Sequence, residues 1–117
     1  MKRIFVGLPV FEKRWRELGL DDEARRALEL ELLEDPTRGD LIRETGGIRK
    51  IRRPFPGQGK SGGLRVFYYD YLPAEKLFFF AVIKKGEQEN LSKEERNILA
   101  QLLEKVLASI KPNNRRR

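Results

Sequence analysis

Histidine and cysteine are both absent from the 117-residue sequence. Without cysteine the chain can form neither a disulfide framework nor a thiolate metal site, which fits a reducing compartment. Without histidine it can form no Ser-His-Asp triad, no histidine-based metal centre and no paired-histidine site for RNA cleavage. Carboxylates and basic side chains therefore remain as the groups that could carry out chemistry.

Long apolar runs are also missing. Residues 1–7 contain too few apolar side chains for a signal peptide, and no segment approaches the ~18 apolar residues of a membrane span. Hydrophobic residues nevertheless make up 39% of the chain, which argues against disorder, and 117 residues suit one domain. We expect a single cytoplasmic domain over residues 1–112, a basic tail at 113–117 and no membrane partner.

The net charge of +7 is concentrated in the middle of the chain. Residues 43–67 contain seven basic and one acidic side chain, a balance of +6, and residues 111–117 add +4. The segments on either side, 1–42 and 68–110, have balances of −2 and −1. A like-charged block repels itself, and a bound polyanion relieves this repulsion, so the block favours a polyanionic partner over a merely soluble surface.

Hydrophobic periodicity divides the chain into three helices and four strands. Strands are predicted at 2–6, 48–53, 64–71 and 77–83, and helices at 10–18, 21–33 and 92–111. Asp21 is the expected N-cap of the second helix, and Ser92 with Glu95 forms a capping box for the last. This order predicts an α+β fold with a small, mainly antiparallel sheet packed by two N-terminal helices and a C-terminal helix.

Two other kinds of site find little support. Asp35, Asp40 and Glu44 could in principle gather Mg²⁺, but their spacing does not favour it, so we expect no metal and no other cofactor. The segment 59–61 (GKS) resembles the end of a phosphate-binding loop, but Pro54 occupies the position of the first glycine and a strand follows instead of a helix.

A basic constellation remains as the candidate site. It comprises Arg49, Lys50, Arg52, Arg53, Lys60, Arg65, Lys84 and Lys85. Side chains two apart in a strand share a face, so Lys50 and Arg52 should point the same way, with Arg65 on a neighbouring strand. Such a cluster can hold a scissile phosphate and stabilise the charge that develops during displacement. The tyrosines at 68, 69 and 71 could stack on bases, although for any single one of them packing within the sheet is the favoured explanation.

The same region resembles a known family. The runs GDLI at 39–42, TGGIRKIR at 45–52 and GKSGGLRVFYY at 59–69 are similar to the HigB branch of the RelE superfamily of bacterial toxins. KKGE at 84–87 followed by NLS at 90–92 is similar to the family's Lys-x-Glu segment before the last helix. The likeness covers nearly the whole chain in the same element order and implies a RelE-like fold, related to microbial ribonucleases.

The resemblance implies the toxin of a type II toxin–antitoxin pair. Such toxins are endoribonucleases that cut mRNA in the ribosomal A site without a metal, and an antitoxin, here a helix-turn-helix protein encoded next door, inhibits them. The family's catalytic positions fall on Lys50, Arg52, Arg65 and Lys85. Supporting RNA contacts fall on two further residues, Lys60 and Arg49.

The mechanism expected from both arguments is attack of the ribose 2′-OH on the adjacent phosphorus, which gives a 2′,3′-cyclic phosphate and a 5′-OH. Lys50 or Glu87 would serve as the general base, although a lysine is normally protonated and needs cationic neighbours to release its proton. Many relatives have an aromatic residue at the position of Ile83. Any stacking or proton-transfer role of that aromatic residue would have to be lost in this chain or transferred to another residue, for which Tyr68 is the candidate.

Two other functions remain open from the sequence. One is a superfamily relative similar to ParE, which poisons DNA gyrase by protein contact and would not need the basic cluster for catalysis. The other is a non-catalytic RNA- or ribosome-binding module in which the cluster only neutralises phosphate. It would show salt-sensitive binding without a cleaved product.

Overall fold

A computed structural model describes residues 2–56, 63–87 and 91–110 of the chain. The described strands and α-helices are β1 (Ile4–Gly7), α1 (Pro9–Glu17), α2 (Asp22–Glu34), β2 (Asp40–Leu41), β3 (Arg49–Arg53), β4 (Leu64–Tyr71), β5 (Lys76–Lys84) and α3 (Lys93–Ile110). Every predicted helix and strand is present, with ends shifted by at most about two residues, as is usual for such boundaries. The predicted tail at 113–117 lies outside the described residues, so the domain division stays a prediction.

The strands form one sheet in the order β1-β5-β4-β3-β2. All neighbouring pairs are antiparallel except β1 with β5, so the predicted α+β fold with a mainly antiparallel sheet is confirmed. Two local features differ from the expectation. The loop predicted at 37–40 ends in the short strand β2, and the turn predicted at 72–76 contains a 3₁₀ helix, Leu72–Ala74.

The helices cover both faces of the sheet. On one face, α1 and α2 pack over a core that includes Phe11, Leu28 and Phe79. On the other face, α3 covers a second core that includes Phe67 and Leu103. Alternate residues of β4 point into one core or the other, which explains why this strand is buried along most of its length.

Local capping signals begin two of the helices as expected. The Asp21 carboxylate accepts a hydrogen bond from the amide of Ala24 (2.9 Å) at the start of α2. At α3 the capping box is complete, because the Ser92 hydroxyl accepts from the Glu95 amide (3.1 Å) and the Glu95 carboxylate accepts from the Ser92 amide (2.8 Å). These bonds satisfy amide groups that a helix start otherwise leaves without partners.

A half-buried charged side chain, that of Arg25, also packs on the α1/α2 face. The Arg25 guanidinium lies 5.1 Å from the ring centroids of both Phe11 and Phe79. It also donates to both carboxylate oxygens of Glu12, at 2.7 and 3.1 Å. This arginine therefore joins α2 to α1 and to β5.

No described helix is both long and apolar enough to cross a bilayer.

We predict that Ser92→Ala lowers the free energy of unfolding by about 1 kcal/mol, because it removes the N-cap of α3. Thermal or urea unfolding monitored by circular dichroism measures the change. Ser109→Ala is the matched control, since that hydroxyl only bonds the Val106 carbonyl within the same helix. Equal stability of the two variants would contradict the role of the capping box.

Candidate functional site

The register of β3 and β4 brings three basic side chains to one face of the sheet. Lys50 pairs with Phe67, and Arg52 pairs with Arg65. Directly paired residues of antiparallel strands share a face, and Phe67 belongs to the core under α3. Lys50, Arg52 and Arg65 therefore lie together on the α3 face, as the alternation of the strand predicts.

These side chains line a cleft of about 440 Å³. We call it the cationic cleft; its described lining consists of Arg38, Gly39, Asp40, Lys50, Ile51, Arg52 and Arg65. Arg52 is exposed, Lys50 is half-buried, and Arg65 is only 6% exposed at the floor. Asp40 is the single carboxylate among the described residues of this lining.

Lys85 lies just past the end of β5, close to Arg65. Its amide donates to the Gly63 carbonyl (2.8 Å), which continues the pairing of β5 with β4. A Cβ atom at Gly63 would lie 3.7 Å from Cβ of Lys85 and 3.9 Å from an Arg65 guanidinium nitrogen. Lys85 and Arg65 are thus neighbours across a glycine. Ile83, at the position where the resemblance leads us to expect an aromatic residue, pairs with Arg65 on the same face.

A second cleft of about 390 Å³ adjoins the first at Lys50. Its other described lining residues are Ile42, Arg43, Leu91 and Arg96. The Arg96 guanidinium bonds the Glu44 carboxylate (3.0 and 3.1 Å) and the Leu91 carbonyl (2.8 Å). The hydrogen bond from Arg96 lowers the pKa of Glu44 below its usual value, and Arg96 is paired with that carboxylate.

Ion pairs separate the structural cations from the available ones. Arg38 contacts Glu31 and Glu34 of α2, and Arg53 also binds Glu31. By contrast, the described residues contain no ion pair to three cations of the two clefts, which are Arg43, Lys50 and Arg52. These three side chains are therefore free to bind an anion.

Arg49 occupies the opposite face from Lys50 and has a structural role. Its guanidinium donates to the carbonyls of Thr37 (3.2 Å) and Gly39 (2.7 Å). These bonds fix the loop before β2, which forms one wall of the cationic cleft. The predicted RNA contact at Arg49 therefore has no support in this geometry.

Tyr68 is completely buried, with 0% exposure. Its hydroxyl donates to the Pro36 carbonyl (2.7 Å) and accepts from the Gly39 amide (2.9 Å), and burial raises its pKa. The expectation that Tyr68 stacks on a base or replaces the missing aromatic residue is wrong, because its ring cannot reach a ligand. Tyr69 and Tyr71 are half-buried against the α3 core, which supports their packing role.

The remaining predicted residues lie away from the cleft or outside the described structure. The Lys84 ammonium lies 5.2 Å from the centroid of the Phe55 ring, which packs on the α1/α2 core. The Glu87 carboxylate accepts from the Lys84 amide (2.6 Å) and binds Arg14 of α1. The Arg14 hydrogen bond lowers the pKa of Glu87. Neither side chain lines the cationic cleft, and Lys60 lies outside the described residues.

Sequence patterns missed four residues of the two clefts: Arg38, Asp40, Arg43 and Arg96. Asp40 lies in β2 and Arg43 follows it. This strand of two residues is too short to give a periodic signal in the sequence. Within the described residues, no cluster of three or more carboxylates is arranged to hold a metal ion.

A family comparison adds to this geometry. The family model for the RelE toxin of the RelE/RelB toxin–antitoxin system matches residues 3–113. The chain belongs to the RelE toxin family. It is therefore a toxin of a toxin–antitoxin system, and the family is in general one of translation-inhibiting ribonucleases that are paired with an antitoxin. The α+β architecture is consistent with a RelE-like fold, and assignment to the HigB branch stays a prediction.

In this RelE-family toxin, the wall of the cationic cleft depends on a glycine at position 39. A Cβ atom there would lie 2.8 Å from the Lys50 carbonyl oxygen and 2.9 Å from the Tyr68 ring. Both distances are too short for real contacts, so either the backbone of β3 or the buried ring would have to move.

We predict that Gly39→Ala lowers the free energy of unfolding by about 1–3 kcal/mol, because overpacking forces such shifts. Urea unfolding measures the loss. Gly63→Ala is the control, since its nearest contacts of 3.7 and 3.9 Å are ordinary and should leave stability nearly unchanged. A Gly39→Ala variant as stable as wild type would show that this loop is not held as described.

Proposed function

We propose that this toxin is an mRNA endoribonuclease that acts in the ribosomal A site without a metal and thereby stops translation in the cytoplasm. The observation that supports this proposal is the meeting of Lys50, Arg52 and Arg65 in one cleft. Family membership supports ribonuclease activity as the class of function, and the cationic cleft offers a site whose charge is opposite to that of RNA phosphates.

The distribution of charge suits one backbone phosphate. Lys50 and Arg52 are free of ion pairs among the described residues, and Arg65 lies directly opposite Arg52. A phosphate that bridges neighbouring strands would contact all three cations and reduce their mutual repulsion. Arginine donates from a planar fork that matches phosphate oxygens, whereas lysine offers a compact charge.

The reaction proposed is transesterification. The ribose 2′-oxygen attacks the adjacent phosphorus and the bond to the 5′-oxygen breaks, which leaves a 2′,3′-cyclic phosphate and a 5′-OH. Arg52 and Arg65 stabilise the added negative charge on the phosphorane-like transition state, and Lys85 supports it from the end of β5. The Glu87 carboxylate is paired with Arg14, which argues against its predicted role as the general base.

The ribosome and an antitoxin complete the proposed system. A small open cleft aligns a flexible RNA poorly, and a ribosome that presents mRNA in a defined conformation would supply the missing orientation. The antitoxin proposed is a helix-turn-helix protein encoded beside the toxin. While bound to the toxin, the antitoxin would keep it inactive, and removal of the antitoxin would restore activity.

We predict that Lys50→Ala, Arg52→Ala and Arg65→Ala each relieve growth arrest when the toxin is expressed from a tightly repressed promoter. Loss of a cation that stabilises the transition state should lower cleavage by about 100-fold or more. Lys13→Ala is the control, because Lys13 is an exposed residue of α1 on the opposite face and should keep full toxicity. Immunoblots establish equal amounts of each protein.

Arg65→Lys accompanies the alanine variants, because Arg65 is buried and its truncation could disturb folding. This variant keeps the charge but loses the guanidinium fork, so partial toxicity is expected. Full toxicity in all three alanine variants would refute the assignment of the cleft.

Primer extension on mRNA from expressing cells identifies the activity itself. New 5′ ends within translated mRNA that disappear when translation is blocked support A-site cleavage. Intact mRNA with DNA damage would indicate gyrase poisoning, and intact mRNA with arrested ribosomes would indicate a non-catalytic binder. The same cleavage is then followed in a cell-free reaction that contains excess chelator and ribosome complexes that tolerate it. Cleavage that persists supports a reaction without a metal.

We predict that the second cleft binds phosphates flanking the cleaved one. Arg43→Ala should reduce the slope of log affinity against log salt for a short single-stranded RNA by about 0.7, the value for one lost phosphate contact. Fluorescence anisotropy across a salt series measures the slope. The same slope in Arg43→Ala and wild type, with Lys13→Ala as the unchanged reference, would exclude this cleft from the RNA path.

A further inference from the structure

One carboxylate faces the cationic cleft, and the sequence assigned it no role there. Asp40 pairs with Lys50 across β2 and β3, so the two side chains share the α3 face. Asp40 is exposed and, among the described residues of the cleft, is the only acidic group. We propose that Asp40 is the general base that accepts the proton of the ribose 2′-OH. This inference rests on the proposed function.

The other carboxylates near the two clefts are already bound to other groups. Glu31 and Glu34 contact Arg38, and Glu44 contacts Arg96. The Asp35 carboxylate accepts from the amide and hydroxyl of Thr37 at 3.0 and 2.7 Å. Those contacts occupy the oxygens that a base would need.

Asp40 differs from these carboxylates in its contacts. Within the described part of the chain its side chain has neither an ion pair nor a hydrogen bond. Its oxygens are therefore available to accept from a ligand hydroxyl. Lys50, its partner in register, does not form an ion pair with it among those residues, and both side chains line the cationic cleft.

Two hydrogen bonds, one buried and one partly buried, position the backbone just before Asp40. The Gly39 amide donates to the Tyr68 hydroxyl (2.9 Å), and the Gly39 carbonyl accepts from Arg49 (2.7 Å). The strand pairing of Asp40 with Lys50 fixes the other side. A base must lie within hydrogen-bond reach of the proton it removes, and this support restricts where the carboxylate can lie.

The proposed step balances as follows. The 2′-OH proton passes to a carboxylate oxygen of Asp40 while the 2′-oxygen forms its bond to phosphorus. The bond between phosphorus and the 5′-oxygen breaks, and that oxygen takes a proton from the Lys50 ammonium. Lys50 is then neutral and Asp40 protonated. Exchange of one proton with solvent at each residue restores both.

Removal of the Asp40 charge should affect binding and chemistry in opposite directions. A carboxylate repels RNA phosphates, so Asp40→Asn should bind RNA as tightly as wild type or more tightly. Loss of a general base should lower the rate of cleavage by about 10²–10⁴-fold. A residue that merely shaped the loop would weaken both processes together.

The test compares wild type with Asp40→Asn in a cell-free translation reaction containing a labelled mRNA. Cleavage is measured with the toxin in excess over ribosomes, which reports the rate on bound substrate, and affinity for a short RNA is measured separately by anisotropy. Asp22→Asn is the matched control, because Asp22 is an exposed aspartate in the first turn of α2. It should cleave at the wild-type rate.

The expected result is loss of cleavage in Asp40→Asn with unchanged or tighter RNA binding and an unchanged unfolding midpoint. Cleavage by Asp40→Asn within about threefold of wild type would overturn the inference and leave the proposed function intact. Joint loss of binding and cleavage would also overturn it, since that pattern indicates a structural role. No cleavage by wild type would defeat the proposed function, and the inference with it.

Asp40→Glu keeps the test decisive if Asp40→Asn fails to fold. It retains a carboxylate on a longer side chain and should cleave faster than Asp40→Ser, which retains only a hydroxyl. The reverse order would show that size rather than the carboxylate matters, and would overturn the inference.

Discussion

The pairing of β3 with β4 is the interaction on which the candidate site depends. Ile51 and Val66 are directly paired and are buried under α1 and α2, where each apolar side chain contributes about 1.5–3 kcal/mol on burial. A slip of one residue would expose Ile51 and turn its basic neighbours to the opposite face. Apolar burial on one face of β3 therefore sets the position of Lys50 and Arg52 on the other.

The basic residues divide into two groups according to their surroundings. Arg3 bonds Asp70 at 2.6 and 3.0 Å, and Arg25 bonds Glu12, so these guanidinium groups hold elements together. Lys50 and Arg52 have no such partners among the described residues. A carboxylate that neutralised them would also compete with phosphate. Because the carboxylates pair with arginines elsewhere, the surface around Lys50 and Arg52 keeps its positive charge.

Much of the fold and the central part of the site could be predicted from sequence. Helix starts at Asp21 and Ser92 follow from local hydrogen bonds, and the shared face of Lys50 and Arg52 follows from the two-residue period of a strand. Tyr68 could not be judged in the same way. Its pattern suits either an exposed ring or a buried one, and only the packing of α2 and the loop around Gly39 makes it a buried link.

The sequence by itself determined the element order, the strand alternation and the absence of histidine chemistry, because each depends on composition or on neighbours within a few positions. Tertiary structure decided the contacts between residues far apart in the chain. It joined Glu87 to Arg14, 73 positions away, and it brought Asp40 beside Lys50 through a strand of two residues. Such pairings result from how helices and strands pack, and no local period encodes them.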